Sequence, residues 1–436
     1  MSLKAHISNH HAVIGRAYFA MRLAAAKSSL ETMAEAMAPN HQLDEKFMKA
    51  YGQWADGGWG MIITGNVQVS SKYLGSPGDV TTLQHTSASP SDADKEIWRT
   101  WAATCQRGGA ATVVQLCHAG RQSPLGAGDR GFFDKTVAPS AVPMNFGPSW
   151  LERAAVKLVF GTPRQLTIDE ISGKDGVIDQ FVSGAKQCFE AGFKGVELHG
   201  AHGYLLAQFL SPLSNQRGAN DPYGGTPAKR AAIVVEIIHK IREQTSKEFC
   251  IGIKMNSVDA SGNESVDDTL EQIRLIVEAG IDFIEISGGN YENPRMMQET
   301  NTTDAIPQKN SKPANSRESF FLQFAQSVRE HFPKVVLMVT GGFRTRTGME
   351  AALESGACDL IGIARPAAVL PKLPKEIILN TEIPDDEATV TLAPLNVPFL
   401  LKHLPVKQVG VGYQSKYYAG QIQRMANGLL PVNTRI

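Results

Sequence analysis

VELHGAHGYLLAQFLSPLSNQR (196–217) decides how this chain is read. The segment opens as the end of a buried strand, and His199 and His202, three residues apart, stand with Tyr204 where that strand stops. Similar runs recur along the chain. GMIITGN (60–66), ATVVQLC (111–117), KGVELHG (194–200), FCIGIKMN (249–256), IDFIEIS (281–287), KVVLMVT (334–340) and CDLIGIA (358–364) are short and almost continuously apolar, as parallel strands covered on both faces should be. LAAAKSS (23–29) supplies an eighth. Helical patterns lie between them at 43–56, 91–107, 167–192, 228–245, 265–279 and 316–331, and FEAGF (189–193) and LESGA (353–357) each end a helix on glycine. Eight strands alternating with helices predict an α/β chain folded as a single-domain (β/α)8 TIM barrel. An open doubly wound sheet is the alternative, but no GxGxxG follows the first strands.

A barrel of this kind builds its active site at the carboxyl ends of its strands. Asn66, Gln115, His118, His199, Lys254, Asn256, Ser287 and Arg344 all lie at such ends and are expected to converge. The long stretch 120–163, rich in Gly, Pro and Ser, follows strand three and reads as a lid over the mouth. The expected organisation is a barrel over 1–375 with an atypical N-terminal segment. A C-terminal helical extension over 376–436 then packs on it.

Composition excludes several classes. The chain has 436 residues, 43 basic against 43 acidic and no net charge, so it carries no global basic footprint for nucleic acid. No apolar run reaches the length of a membrane helix. Five scattered cysteines without a CxxC spacing imply neither a disulfide framework nor structural zinc, and fit a reducing compartment such as the cytoplasm. Residues 1–30 hold Lys4, Arg16, Arg22 and Lys27 with no acid, which resembles a mitochondrial targeting composition, although AYFAMRLAAA (17–26) reads more simply as the first strand region.

Four constellations carry chemistry. In TGGFRTRTG (340–348), Gly341 and Gly342 let the backbone approach a ligand, and Arg344 adds charge beside a helix start, a ready phosphate site. Arg365 in IGIARP (361–366) would complete it, since the loops after strands seven and eight often bind phosphate in this fold. ISGGNYENP (286–294) offers Ser287 and Gly288 at a turn where a flat ring could pass. Lys254, inside a strand, needs a negative partner: either the anionic edge of a reduced flavin or a barrel carboxylate such as Glu197 or Glu285. The histidine pair lacks the third ligand and the HExxH signature of a zinc site, so no metal is expected. Two imidazole N–H groups aimed at a carbonyl oxygen would polarise it, and Tyr204 is then a natural proton donor.

These residues resemble the old yellow enzyme family of FMN-dependent NAD(P)H oxidoreductases, in its His-x-x-His subgroup. The matching segments are WADGGWGMIITGNVQV (54–69), VVQLCHAGRQ (113–122), GVELHGAHGYLLAQFLSPLSNQR with DPYGG (195–225), GIKMNS (252–257), EISGGNYE (285–292), TGGFRT (340–345) and DLIGIARP (359–366). The resemblance implies non-covalent FMN reduced by NADH or NADPH, and an ene-reductase acting on a small enone-type substrate. Asn66, Gln115, Lys254, Ser287, Gly288, Gly341, Gly342, Arg344 and Arg365 would hold FMN; His199 and His202 would grip the substrate carbonyl and Tyr204 would deliver the proton. Neither nucleic acid nor membrane is an expected partner, and a homo-oligomer is compatible with the family. The chain departs from the family in three places. RAYFAMRLAAAKSSLETMA (16–34) leaves Ser28, Ser29 or Thr32 to contact the flavin carbonyl, PAKR (227–230) replaces an acidic-Asn-Arg sequence, and Ala364 replaces a common glycine. A specialised biosynthetic isomerase or dehydrogenase of the same fold, a flavin-binding protein with little catalysis, and a zinc barrel hydrolase are the competing readings.

Overall fold

Eight parallel strands close on themselves among the described residues: β1 (Ser28–Glu31), β2 (Met61–Ile63), β3 (Ala111–Cys117), β4 (Gly195–Gly200), β5 (Cys250–Asn256), β6 (Phe283–Ser287), β7 (Val336–Thr340) and β8 (Leu360–Ile363). Each pairs with the next, and β8 pairs back onto β1, which makes the (β/α)8 barrel. The computed structural model describes residues 28–31, 34–83, 90–147, 149–257, 265–288, 316–393 and 408–433. The targeting-like segment 1–27, Thr32, residues 289–294 of the glycine turn after β6 and residues 394–407 of the tail therefore lie outside the described residues.

Helices cover the outside: α1 (Glu45–Ala55), α2 (Asp92–Gln106), α3 (Val177–Ala191), α4 (Pro227–Gln244), α5 (Val266–Glu278), α6 (Ser316–His331), α7 (Arg346–Glu354) and α8 (Gln408–Ala426). Their starts follow the side-chain chemistry. Ser91 and Asp94 form a reciprocal capping box on α2, and Thr226 caps α4 just before Pro227. Two expected boundaries are corrected. The pattern at 167–192 is two helices, Ile168–Ser172 and α3, because Gly173 leaves the helical conformation and Gly176 restarts it. The first strand is described over 28–31, which overlaps the expected 23–29 at Ser28 and Ser29, while 23–27 lie outside the described residues; Ser29 aligns with Met61 on one side and with Gly362 on the other. The run at 60–66 also stops pairing at Ile63, and Val67–Gln68 re-pairs with the end of β3.

Strand alternation sorts the barrel interior into layers. At the amino end Met61, Ile63, Val113, Cys250, Phe283, Met338 and Leu360 form a buried apolar plug. Further along the same inward rows stand Gln115 and Glu285, two residues beyond Val113 and Phe283, and Lys254, four beyond Cys250, and β4 adds Glu197 and His199. The plug thus gives the barrel its core, and the polar layer above it faces the mouth.

The stretch 120–163 is not structureless. It contains a short strand, Val137–Ala138, paired with Arg164–Gln165, and a helix, Trp150–Val159. Buried arginines staple it down: Arg121 donates to the carbonyls of Val142 and Pro143, both at 3.1 Å, and Arg217 donates to those of Pro139 and Leu166 at 2.9 and 2.7 Å. Helix α8 buries Tyr418, Ile422 and Met425, and its Gln423 donates to the backbone carbonyls of Glu35 and Ala36. No helix among the described residues is long and apolar enough to cross a membrane.

Candidate active site

Register brings the polar layer into contact. Gln115 aligns with Glu197 across β3 and β4, and its amide donates to the Glu197 carboxylate at 2.8 Å. Lys254 aligns with Glu285 across β5 and β6, and the two form a buried ion pair at 3.1 Å. Of the two glutamates open to Lys254 in the sequence, Glu285 is its partner. The pair holds a cation in a site that would otherwise expel it, since a lone buried charge costs several kcal/mol.

The turn after β4 is held from every side. His202 adopts φ +56°, a left-handed conformation uncommon for a side-chain-bearing residue, and the backbone N–H of His202 donates to Asn256 Oδ1 at 3.0 Å. Gln122 donates to the His202 carbonyl at 2.9 Å, and Gln208 donates to that of Gly203 at 2.8 Å. Tyr204 then opens the short helix Leu205–Leu210.

Three of the candidate side chains meet there. His199 Nε2 and His202 Nδ1 lie 3.4 Å apart, and the Tyr204 ring is 4.7 Å from that of His199. Burial, reinforced by His202 and Lys254, drives the His199 pKa well below its usual value, so His199 is a neutral hydrogen-bond donor and not a cation. Asn66 Nδ2 donates to the Tyr204 phenol oxygen at 3.1 Å, and Cys117 donates to Asn66 Oδ1 at 3.4 Å, which orients the amide. Gly75 covers the phenol from above. A Cβ there would sit 2.5 Å from the Tyr204 oxygen, so only glycine lets the loop pass.

On the opposite side of the mouth, Gly341 (φ +139°) and Gly342 (φ +86°) form the turn after β7, and α7 begins a few residues later, capped by Thr345. Arg344 is half-buried and donates to the Phe343 carbonyl at 2.8 Å. Arg365, also half-buried, starts the helix after β8. Beneath this turn the Ser29 and Thr340 hydroxyls are buried without hydrogen-bond partners among the described residues, flanking Gly362 in register. Orphaned hydroxyls, positive-φ glycines and two arginines fit a phosphorylated, polar-edged ring, with Gln115 and Lys254 across the barrel from them.

Some residues escaped the sequence. Glu35 is buried and accepts from Tyr51 and from the Gly65 N–H, and Asp79 accepts from Gln68 at 2.8 Å and from the amides of Gly75 and Ser76, both at 3.1 Å. Burial raises the pKa of each to about 7. Neither sits in a motif; an acid within a Gly- and Pro-containing turn carries no local sign that it will be buried. Ser287, expected beside the cofactor, also places its hydroxyl 3.1 Å from His202 Nε2, a contact without any local sign in the sequence.

A closed parallel barrel with a histidine pair and tyrosine on one side of its mouth and a phosphate-type turn on the other defines a flavin-binding oxidoreductase class. The NADH:flavin oxidoreductase / NADH oxidase family model matches residues 15–383. The chain belongs to this family, the old yellow enzyme family of FMN-dependent oxidoreductases. It is 45% identical over 401 residues to the NADH-dependent flavin oxidoreductase iccE of Talaromyces variabilis, covering 90% of this chain and 93% of the relative. It is 44% identical over 421 residues to the NADH-dependent flavin oxidoreductase iliE of a Neonectria species, covering 92% of this chain but only 53% of that protein, so the chain spans about half of that relative's length. Among solved structures, the old yellow enzyme homologue from Zymomonas mobilis superposes with a TM-score of 0.60 at 22% identity, covering 80% of this chain and 87% of the other, which establishes the shared barrel.

Proposed function

We propose that this chain reduces the activated C=C bond of α,β-unsaturated carbonyl compounds with NADH or NADPH, using non-covalent FMN. FMN, held by the residues named below, would supply the hydride-transfer chemistry between the nicotinamide and the β-carbon of the alkene. Gln115 and Lys254 orient the polar edge of the ring, with Ser287 and Gly288 at the β6 turn. Gly341, Gly342, Arg344 and Arg365 hold the phosphate. His199 and His202 donate to the substrate carbonyl oxygen and stabilise the negative charge that grows there. Tyr204 gives its proton to the α-carbon. Asn66, in the turn after β2, supports Tyr204.

The observation that carries this reading is the grouping of two imidazoles 3.4 Å apart with a tyrosine hydrogen-bonded by Asn66 beside them. This arrangement sets two imidazoles where one oxygen could bridge them, with an acid beside them for the neighbouring carbon. The test is anaerobic. Purified protein should be yellow and release FMN on denaturation; NADH or NADPH should bleach it, and an enone should restore the colour with one equivalent of saturated ketone formed. Bleaching without reoxidation by a panel of enones and enals would overturn the proposal. A rearranged product formed without net use of NAD(P)H would replace it by an isomerase.

A further inference from the structure

The hydrogen bonds around the histidine pair form a single chain. The Ala201 N–H donates to His199 Nδ1 at 3.3 Å, so the proton of neutral His199 resides on Nε2. That N–H faces His202 Nδ1 at 3.4 Å, which must then accept. His202 in turn carries its own proton on Nε2, 3.1 Å from Ser287 Oγ. As it stands, the pair therefore presents one donor spent on its neighbour. A substrate oxygen can take hydrogen bonds from both rings only if His202 changes tautomer, placing its proton on Nδ1 and leaving Nε2 bare.

We propose that Ser287 is the positioning residue that permits this change, because its hydroxyl can accept from His202 Nε2–H in one state and donate to bare Nε2 in the other. A hydroxyl is both donor and acceptor and rotates between the roles without moving its oxygen. The surrounding framework holds the ring still meanwhile. Asn256 fixes the His202 backbone, and Asn256 and Ser287 are themselves register neighbours on β5 and β6. The arriving oxygen replaces His202 Nδ1 as acceptor for His199, and the proton on His202 passes from Nε2 to Nδ1 by exchange with solvent. No net proton is gained or lost. This inference rests on the proposed carbonyl grip and adds the device that arms it.

The test uses FMN-loaded protein labelled with nitrogen-15 at histidine, with para-hydroxybenzaldehyde as an oxyanion probe. In the wild type, His202 Nδ1 should report as unprotonated without the probe and as protonated with it. Ser287→Ala should lose this change and bind the probe about tenfold more weakly, whereas Ser287→Thr, which keeps the hydroxyl, should restore both. A merely structural serine would not link the imidazole tautomer to the presence of a hydroxyl. Failure of the wild type to bind the probe would overturn the carbonyl grip itself, and the inference with it. Probe binding without a tautomer change in the wild type, or the same change in Ser287→Ala, would overturn the Ser287 role alone and leave the grip standing.

Discussion

Asn66 Nδ2 donates a 3.1 Å hydrogen bond to the phenol oxygen of Tyr204, joining the turn after β2 to the turn after β4. A donor on that oxygen stabilises the phenolate and leaves the phenol proton directed elsewhere. Asn66→Ala should therefore make Tyr204 a weaker acid. The expected result is an oxidative half-reaction with an enone slowed by about tenfold, the worth of one hydrogen bond of about 1.4 kcal/mol. Stopped-flow reoxidation of the NADH-reduced enzyme measures it, and an unchanged rate would remove Asn66 from the proton step.

Tyr204→Phe and the histidine variants should separate the two ends of the substrate. Loss of the general acid should slow enone reoxidation by about 10²–10⁴ while phenol binding persists. His199→Ala or His202→Ala should lose about 10²–10³ in turnover, as removal of an oxyanion donor does, and weaken phenol binding as well. Equal phenol affinity in wild type and both histidine variants would make the HGAHGY turn structural.

Arg344→Ala and Arg365→Ala should loosen the flavin without altering the barrel. A lost charge-assisted hydrogen bond of about 1.5–3 kcal/mol corresponds to roughly ten- to a hundredfold weaker FMN binding. The check is retention of FMN on dialysis, with the far-ultraviolet circular dichroism of the apoproteins as the control for folding. FMN retention equal to that of the wild type in both variants would place the phosphate elsewhere.

Stability should fall as pH rises from about 4 to about 7. Asp79 and Glu35 have folded pKa values of about 7 against ordinary values of 3.8 and 4.5, chiefly because burial disfavours their charged forms. Between those values the folded protein holds protons that the unfolded chain has released, so their stabilising contribution is fully present at low pH and is lost as pH climbs through 7. Asp79→Asn keeps an acceptor oxygen for Gln68, Gly75 and Ser76 but does not titrate. The difference in unfolding free energy between wild type and Asp79→Asn should shift by on the order of 3 kcal/mol between pH 4 and pH 8. Urea titrations across that range measure it, and parallel curves would mean Asp79 is ionised in the fold.

The barrel and much of its chemistry were legible in the sequence because their signals are local. Apolar runs mark buried strands, glycines stop helices, and inward polar residues at strand ends mark the mouth; a reader of 196–217 and 340–348 alone could place the histidine pair and the glycine–arginine turn at its rim. What remained hidden was who faces whom. Lys254 could have met either of two glutamates until the register of β5 and β6 set Glu285 beside it. Nothing near Ser287 in the chain indicates His202, 85 residues away, nor does Asn66 point to Tyr204, 138 residues away. The place of Ser28–Glu31 in the barrel likewise shows only in its pairing with Met61–Ile63 and Ile361–Ile363. Side-chain spacing within a segment fixes what kind of element it forms; only closure of the barrel, which sets the register between strands distant in sequence, decides which polar groups share a hydrogen bond and which carboxyls are cut off from water.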